Sequence, residues 1–160
     1  MLDDFAFPAR RKYSDNASKY ELFEVKAPRE KLYNLLMDPN QVSSCMPGFK
    51  GIEITSPEDY TIVLKVGVAF IKTEVKMHML VKEAQSPSHA KLVGNGVSSS
   101  GNLDMEVTAD LVEENGQTTM KWAAEANVSG KLASMGQRMI TGQAEKIIKN
   151  MFDCLKAKVA

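Results

Sequence analysis

The sequence predicts an α+β fold: a curved antiparallel sheet of about six or seven strands wrapped around one long C-terminal helix, with two short helices after the first strand. Three observations point there. Apolar and polar residues alternate with period 2 through the middle of the chain, turn signals separate these runs at hairpin spacing, and beyond Gly130 the apolar period changes to 3.6. At 160 residues the chain is sized for one domain. Residues 1–18 show neither period and read as an N-terminal extension, leaving 19–160 as a single domain.

Each element has a local reason. Lys19 to Val25 is strand-like, with Tyr20, Leu22 and Phe23 supplying β-favouring bulk. Ala27–Pro28 opens a helix, because proline in the first turn gives up no needed N–H, and Leu32, Leu35 and Leu36 follow at helical spacing. Asp38–Pro39 ends it, and a second short helix or turn runs from Asn40 to Cys45 into Met46–Pro47–Gly48. Then come the alternating runs. Ile52–Ser56 is the first. Tyr60, Ile62, Leu64, Val66, Val68 and Phe70 share one face of the second, and Val75, Met77, Met79 and Val81 one face of the third. Ala90–Ser98 carries Gly94 and Gly96, which suggest a bulge, a bend or close approach of another group. Leu103 to Leu111 and Met120 to Val128 alternate on either side of Asn115–Gly116, a strong hairpin signal. From about Lys131 to Lys158, Leu132, Met135, Met139, Ile140, Ile147, Ile148, Met151, Phe152 and Leu155 trace one stripe of a single helix.

Composition excludes several function classes. Lys plus Arg and Asp plus Glu are 20 each, so no net field draws the protein to nucleic acid. No apolar run approaches the roughly 20 residues that span a bilayer. Phe5, Phe7 and Pro8 beside Arg10, Arg11 and Lys12 would suit a membrane or partner contact, and a solvated tail accounts for them as well. Cys45 and Cys154 lie far apart and read as reduced thiols of a cytoplasmic protein. Asp104, Glu106, Asp110 and Glu125 alternate outward, away from the dry face where acid–base chemistry would need them. His78 and His89 have no Cys, Asp or Glu at metal-site spacing, and no phosphate loop or nucleophile elbow is present. We therefore expect no catalytic residues, metal or cofactor.

A curved sheet with only one helix to cover it leaves a gap, and an apolar gap is a ligand site by default. Its expected walls are Val75, Met77, Met79, Met105, Val107, Met120, Trp122, Met135 and Met139, with Cys45, Met46, Pro47, Gly48 and Arg138 at the mouth. A methionine-rich wall is deformable and suits flexible or aromatic apolar ligands; the same methionines would equally fill a closed core.

The order of elements resembles the START-like helix-grip superfamily, which includes lipid carriers and polyketide cyclases. Within it, Cys45–Met46–Pro47–Gly48, Gly94 and Gly96, and the run from Val128 through Gly130, Lys131, Leu132, Ala133 and Gly136 to Arg138 resemble the carbon monoxide dehydrogenase G-subunit (CoxG) family. That resemblance implies a hydrophobic cavity for a quinone- or lipid-like molecule. It also implies an accessory role in the assembly or membrane coupling of a carbon monoxide dehydrogenase or related molybdenum hydroxylase. The implied partners are a hydrophobic small molecule, the hydroxylase complex and a peripheral membrane contact at the inner face. Either a monomer or a homodimer fits the sequence. An enzyme of the polyketide cyclase or hydrolase type, using Thr73 or Trp122 as polar groups, and an assembly factor with a non-functional cavity are the competing readings.

Overall fold

The computed structural model describes residues 19–68 and 71–159. The extension expected at 1–18, Phe70 and the side chain of Val68 lie outside the described residues. Strand β1 (Lys19–Val25) leads through α1 (Arg29–Leu36) and α2 (Pro39–Ser44) to β2 (Phe49–Ser56), β3 (Asp59–Val68), β4 (Ile71–Gln85), β5 (His89–Ser98), β6 (Gly101–Glu114) and β7 (Gln117–Val128). A short 3₁₀ helix, Gly130–Met135, precedes α3 (Gln137–Val159). The seven strands form one antiparallel sheet in the order β1-β7-β6-β5-β4-β3-β2. Consecutive hairpins build it from β2 to β7, and β1 closes onto β7.

The helical link between β1 and β2 is held by contacts that local propensity alone would not supply. Pro28 offers α1 no side-chain cap. Instead the Glu113 carboxylate of β6 accepts from the Arg29 backbone N–H at 2.9 Å, and the Arg29 guanidinium donates to the Leu111 carbonyl at 3.3 Å. An anion at a helix N-terminus also complements the exposed N–H dipoles there. Asp38 caps α2 by accepting from the Asn40 N–H at 3.0 Å, with Pro39 in the first helical position. Thr118, fully buried on β7, donates to the Ala27 carbonyl at 2.7 Å and pins the β1–α1 corner. Asn115 and Gly116, at φ 54 and 78, make the two-residue β6–β7 turn that the sequence indicates.

Two features depart from the sequence reading. The expected unbroken helix from Lys131 is interrupted at Gly136, whose φ of 87 and ψ of 150 suit glycine alone. Leu132 and Met135 lie three apart, a spacing that 3₁₀ and α turns share, so periodicity did not reveal the break. The cysteines are bonded rather than reduced: Cys45 at the end of α2 and Cys154 in α3 form a disulfide, their Cα atoms 5.6 Å apart. The packing of α2 on the last turns of α3 creates this proximity, which 109 residues of sequence separation conceal.

The core lies between the sheet and the helices in three clusters. The largest joins α1, α2 and the second half of α3 to β1, β6 and β7. There Phe152 packs edge-on against Trp122 at 5.0 Å and tilted against Phe23 at 5.3 Å, among Leu32, Leu111, Met120 and Leu155. A second comprises Tyr60, Ile62, Leu64, Val75, Met77 and Met79 on β3 and β4. The third is Ala126 under Ile140.

On the opposite face, strand register gives each histidine the acidic neighbours that sequence spacing did not. His78 Nε2 lies 2.7 Å from Asp59. His89 Nδ1 lies 2.6 Å from Asp110, and its Nε2 lies 2.7 Å from Glu83. Burial disfavours the charged His89 ring, but hydrogen bonds to Glu83 and Asp110 outweigh it, so the His89 pKa is raised. The hydrogen bond from His89 likewise lowers the Glu83 pKa.

These contacts can be tested at two positions. A raised histidine pKa contributes stability that is complete below the unfolded value and lost as pH climbs through the folded one. Denaturant unfolding between about pH 5.5 and about pH 9 should therefore show wild type losing its advantage over His89→Gln as pH rises; parallel curves would refute the assignment. Gly48 sits at φ +80, where a Cβ would stand 2.1 Å from the Lys65 carbonyl oxygen while the Lys65 N–H donates to the Gly48 carbonyl at 2.8 Å. Gly48→Ala should cost about 2–4 kcal/mol by thermal denaturation, since strain and backbone displacement add. Gly51→Ala, whose Cβ meets nothing within 4 Å, should be close to neutral.

Candidate functional site

The site is assembled from cross-strand rows on the face under α3. One row runs Tyr60, Met79, Gly94, Met105, Ala126 across β3 to β7. The next runs Ile62, Met77, Gly96, Leu103, Val128. Large side chains on β3, β4 and β6 thus flank a glycine track on β5. A Cβ on Gly94 would stand 2.9 Å from Met79 Sδ, 3.0 Å from Met77 Sδ and 3.1 Å from Met105 Cγ. The glycines serve close approach, one of the readings their position suggested, and thioethers fill the space a side chain would take.

The three clusters do not fuse into one dry core. Met46 and Leu92 each pack against both the first and the second, and Leu103 and Met105 against both the second and the third, yet all four remain partly exposed. Apolar side chains between buried clusters but still open to solvent outline a hollow. Helix α3 covers it unevenly. Ile148, Met151, Phe152, Leu155 and Val159 are buried in its second half, whereas Ile140 is the buried one among the described side chains of its first turns.

The residues singled out by sequence divide among these places. Val75, Met77, Met79, Met120 and Trp122 are buried, while Met105, Val107 and Met135 are partly buried. Met139, expected on the dry stripe of the helix, is 44% exposed, because the stripe rotates across the break at Gly136. Together with Met135, Arg138, Gly142 and Gln143 it lines an open depression of about 480 Å³ beside the start of α3. Met135 also packs against the Ala126–Ile140 cluster next to Met105, so it touches both the depression and the interior. Arg138 is exposed on the rim. The Cys45–Gly48 segment is tied at both ends, by the disulfide to α3 and by Gly48 to β3, with Pro47 exposed and Met46 reaching the hollow.

Sequence reasoning passed over Leu92, Leu103, Gly142, Gln143 and Tyr60. Tyr60 offered a signal, a phenol at the head of an otherwise aliphatic inward-facing row. Burial alone pushes its pKa up to about 12. Thr73 is buried, with its hydroxyl 3.5 Å from that of Ser99. Among the described residues there is no group of three or more His, Cys, Asp or Glu suited to hold a metal ion, and no helix long and apolar enough to cross a membrane.

The glycine track yields a ranked prediction. At Gly94 the neighbours are the ends of flexible methionines, so Gly94→Ala should cost less than about 1 kcal/mol. At Gly96 the Cβ would meet stiff Val75 Cγ1 at 2.9 Å and the Leu103 carbonyl oxygen at 3.3 Å, so Gly96→Ala should cost about 1–3 kcal/mol. Urea midpoints compare the two, and a reversed order would contradict this packing.

Comparison with known proteins agrees with this architecture. The family described as the G subunit of carbon monoxide dehydrogenase (CoxG) matches residues 22–160. No curated protein matches the chain. A conserved protein from Geobacillus kaustophilus is 29% identical, with a TM-score of 0.82 over 89% of this chain and 94% of that one. A START superfamily protein from Mycobacterium smegmatis (13% identity, TM-score 0.69, covering 89% and 96%) shares the fold. So does the Zhui aromatase/cyclase from Streptomyces sp. R1128 (12%, 0.66, covering 89% and 92%). With its seven-stranded curved sheet gripping a C-terminal helix, this chain belongs to the carbon monoxide dehydrogenase G-subunit (CoxG) family on the START-like helix-grip fold.

Proposed function

We propose that the protein binds a hydrophobic small molecule, quinone- or lipid-like, between the concave sheet face and α3, as an accessory to a carbon monoxide dehydrogenase or related molybdenum hydroxylase. The observation that carries this reading is the set of partly exposed apolar side chains, Met46, Leu92, Leu103 and Met105, stranded between three buried clusters. A core built only for stability would close over them, since protein interiors pack to crystal-like density. Entry runs past Met135 at the thinly anchored start of α3, where the depression lined by Met139 and Arg138 meets the interior. Arg138 suits a polar or anionic head group there. The family membership supports the accessory role, and the partner supplies the chemistry.

Native mass spectrometry with organic extraction should recover a co-purified apolar molecule, or else titration with 1-anilinonaphthalene-8-sulfonate should saturate. Met105→Trp, which fills the hollow, should weaken that binding by about tenfold or more while preserving the fold. If Met105→Trp instead lowers stability by about 1–3 kcal/mol and wild type binds nothing, the space is already full and the carrier reading fails.

A further inference from the structure

Tyr60 is 2% exposed, and among the described residues no hydrogen bond reaches its hydroxyl. Its neighbours are apolar: Ile62, Leu64, Met77 and Met79 belong to its cluster, and Met46 packs against it. The large majority of buried side-chain polar atoms have a partner, and one left without costs about 1–3 kcal/mol. Phenylalanine would fill the same volume without that cost. The hydroxyl stands on the inward row Tyr60, Met79, Gly94, Met105, whose last side chain is half open to the hollow. The intervening groups are two methionines and a residue with no side chain, the most easily displaced wall the sheet offers.

We propose that Tyr60 donates a hydrogen bond to a carbonyl-type acceptor on the bound molecule, so that the site selects apolar ligands carrying such an acceptor over pure hydrocarbons. This rests on the carrier reading and adds the ligand's polar class. Met77, Met79 and Met105 swing aside as the ring or chain enters, and the acceptor meets the phenol beneath them. Site groups that hydrogen-bond a ligand discriminate strongly against analogues that lack the matching atom, because the protein group is then left unpaired. The Trp122 indole N–H is likewise buried with no hydrogen-bond partner among the described residues, but its row continues through Ala109 and Ala90, across the sheet from Tyr60. The assignment is to Tyr60 alone.

Two probes of one shape, 1-acetylnaphthalene and 1-ethylnaphthalene, separate the carbonyl from the apolar body. Calorimetric titration of wild type and Tyr60→Phe should show the acetyl compound weakened by about five- to tenfold in the variant and the ethyl compound unchanged. Ligand-free Tyr60→Phe should melt at the same temperature as wild type or higher, since no native bond is lost. Equal binding of the acetyl probe by both proteins would overturn the proposal while leaving the carrier reading intact. Failure of both probes to bind wild type would remove both. A lowered melting temperature in the ligand-free variant would assign the hydroxyl to a structural partner such as buried water, and also overturn it.

Discussion

A helix about 10 Å across has to cover seven strands that, at about 4.8 Å spacing, would span roughly 30 Å if laid flat. No other element is available for most of that face, because α1 and α2 are short and sit at one end against the second half of α3. The sheet therefore curls around its cover, and β1 pairs with β7 so that the chain's first strand lies beside its last. Everything of functional interest follows from how well one cylinder fills one trough. Where the aromatic side chains are, at Trp122, Phe152 and Phe23, the fit is tight. Toward Gly136 they give way to alanine, glycine and methionine, and the fit is loose.

That gradient is written in side-chain type rather than in backbone. The β6–β7 ladder is regular along its whole length. Trp122 and Met120 project from β7 near the buried half of α3, but Ala124 and Ala126 follow, and β5 opposes them with Gly94 and Gly96. Small residues on the floor lower it locally, and methionines then occupy the recess without locking it, since an unbranched thioether has several low-energy ways to lie. A recess padded in this way is a compromise between a sealed core and an empty cavity.

Much of this was legible because strand alternation, Asn115–Gly116 and the change of period at Gly130 are local signals. Tyr60, Ile62 and Leu64 declared their face, as did Val75, Met77 and Met79. What stayed hidden depends on register or on contacts between distant elements. Nothing near His89 in sequence announces that Asp110 stands opposite it across β5 and β6. The cysteines looked like isolated thiols because the surface that joins them exists only after α2 docks on α3. Gly136 was one small residue inside an otherwise helical pattern, yet it decides which way Met139 points. The site was misread most where the helix begins, because a period shows which residues share a stripe but not where the stripe starts.

The bond between Cys45 and Cys154 gives the chain a different topology from the one its sequence suggests. Strands β2 to β7 and most of α3 lie inside one covalent ring with a 109-residue separation between its ends, while β1, α1 and nearly all of α2 form a tail outside it. In the chain-entropy account, closing a loop of about 100 residues disfavours the unfolded ensemble by about 4.7 kcal/mol. The ring also changes what a backbone cut can do. A single break anywhere between the two cysteines opens the circle but frees no fragment, so the hairpins that wall the hollow can be nicked at their turns and still be held as one molecule.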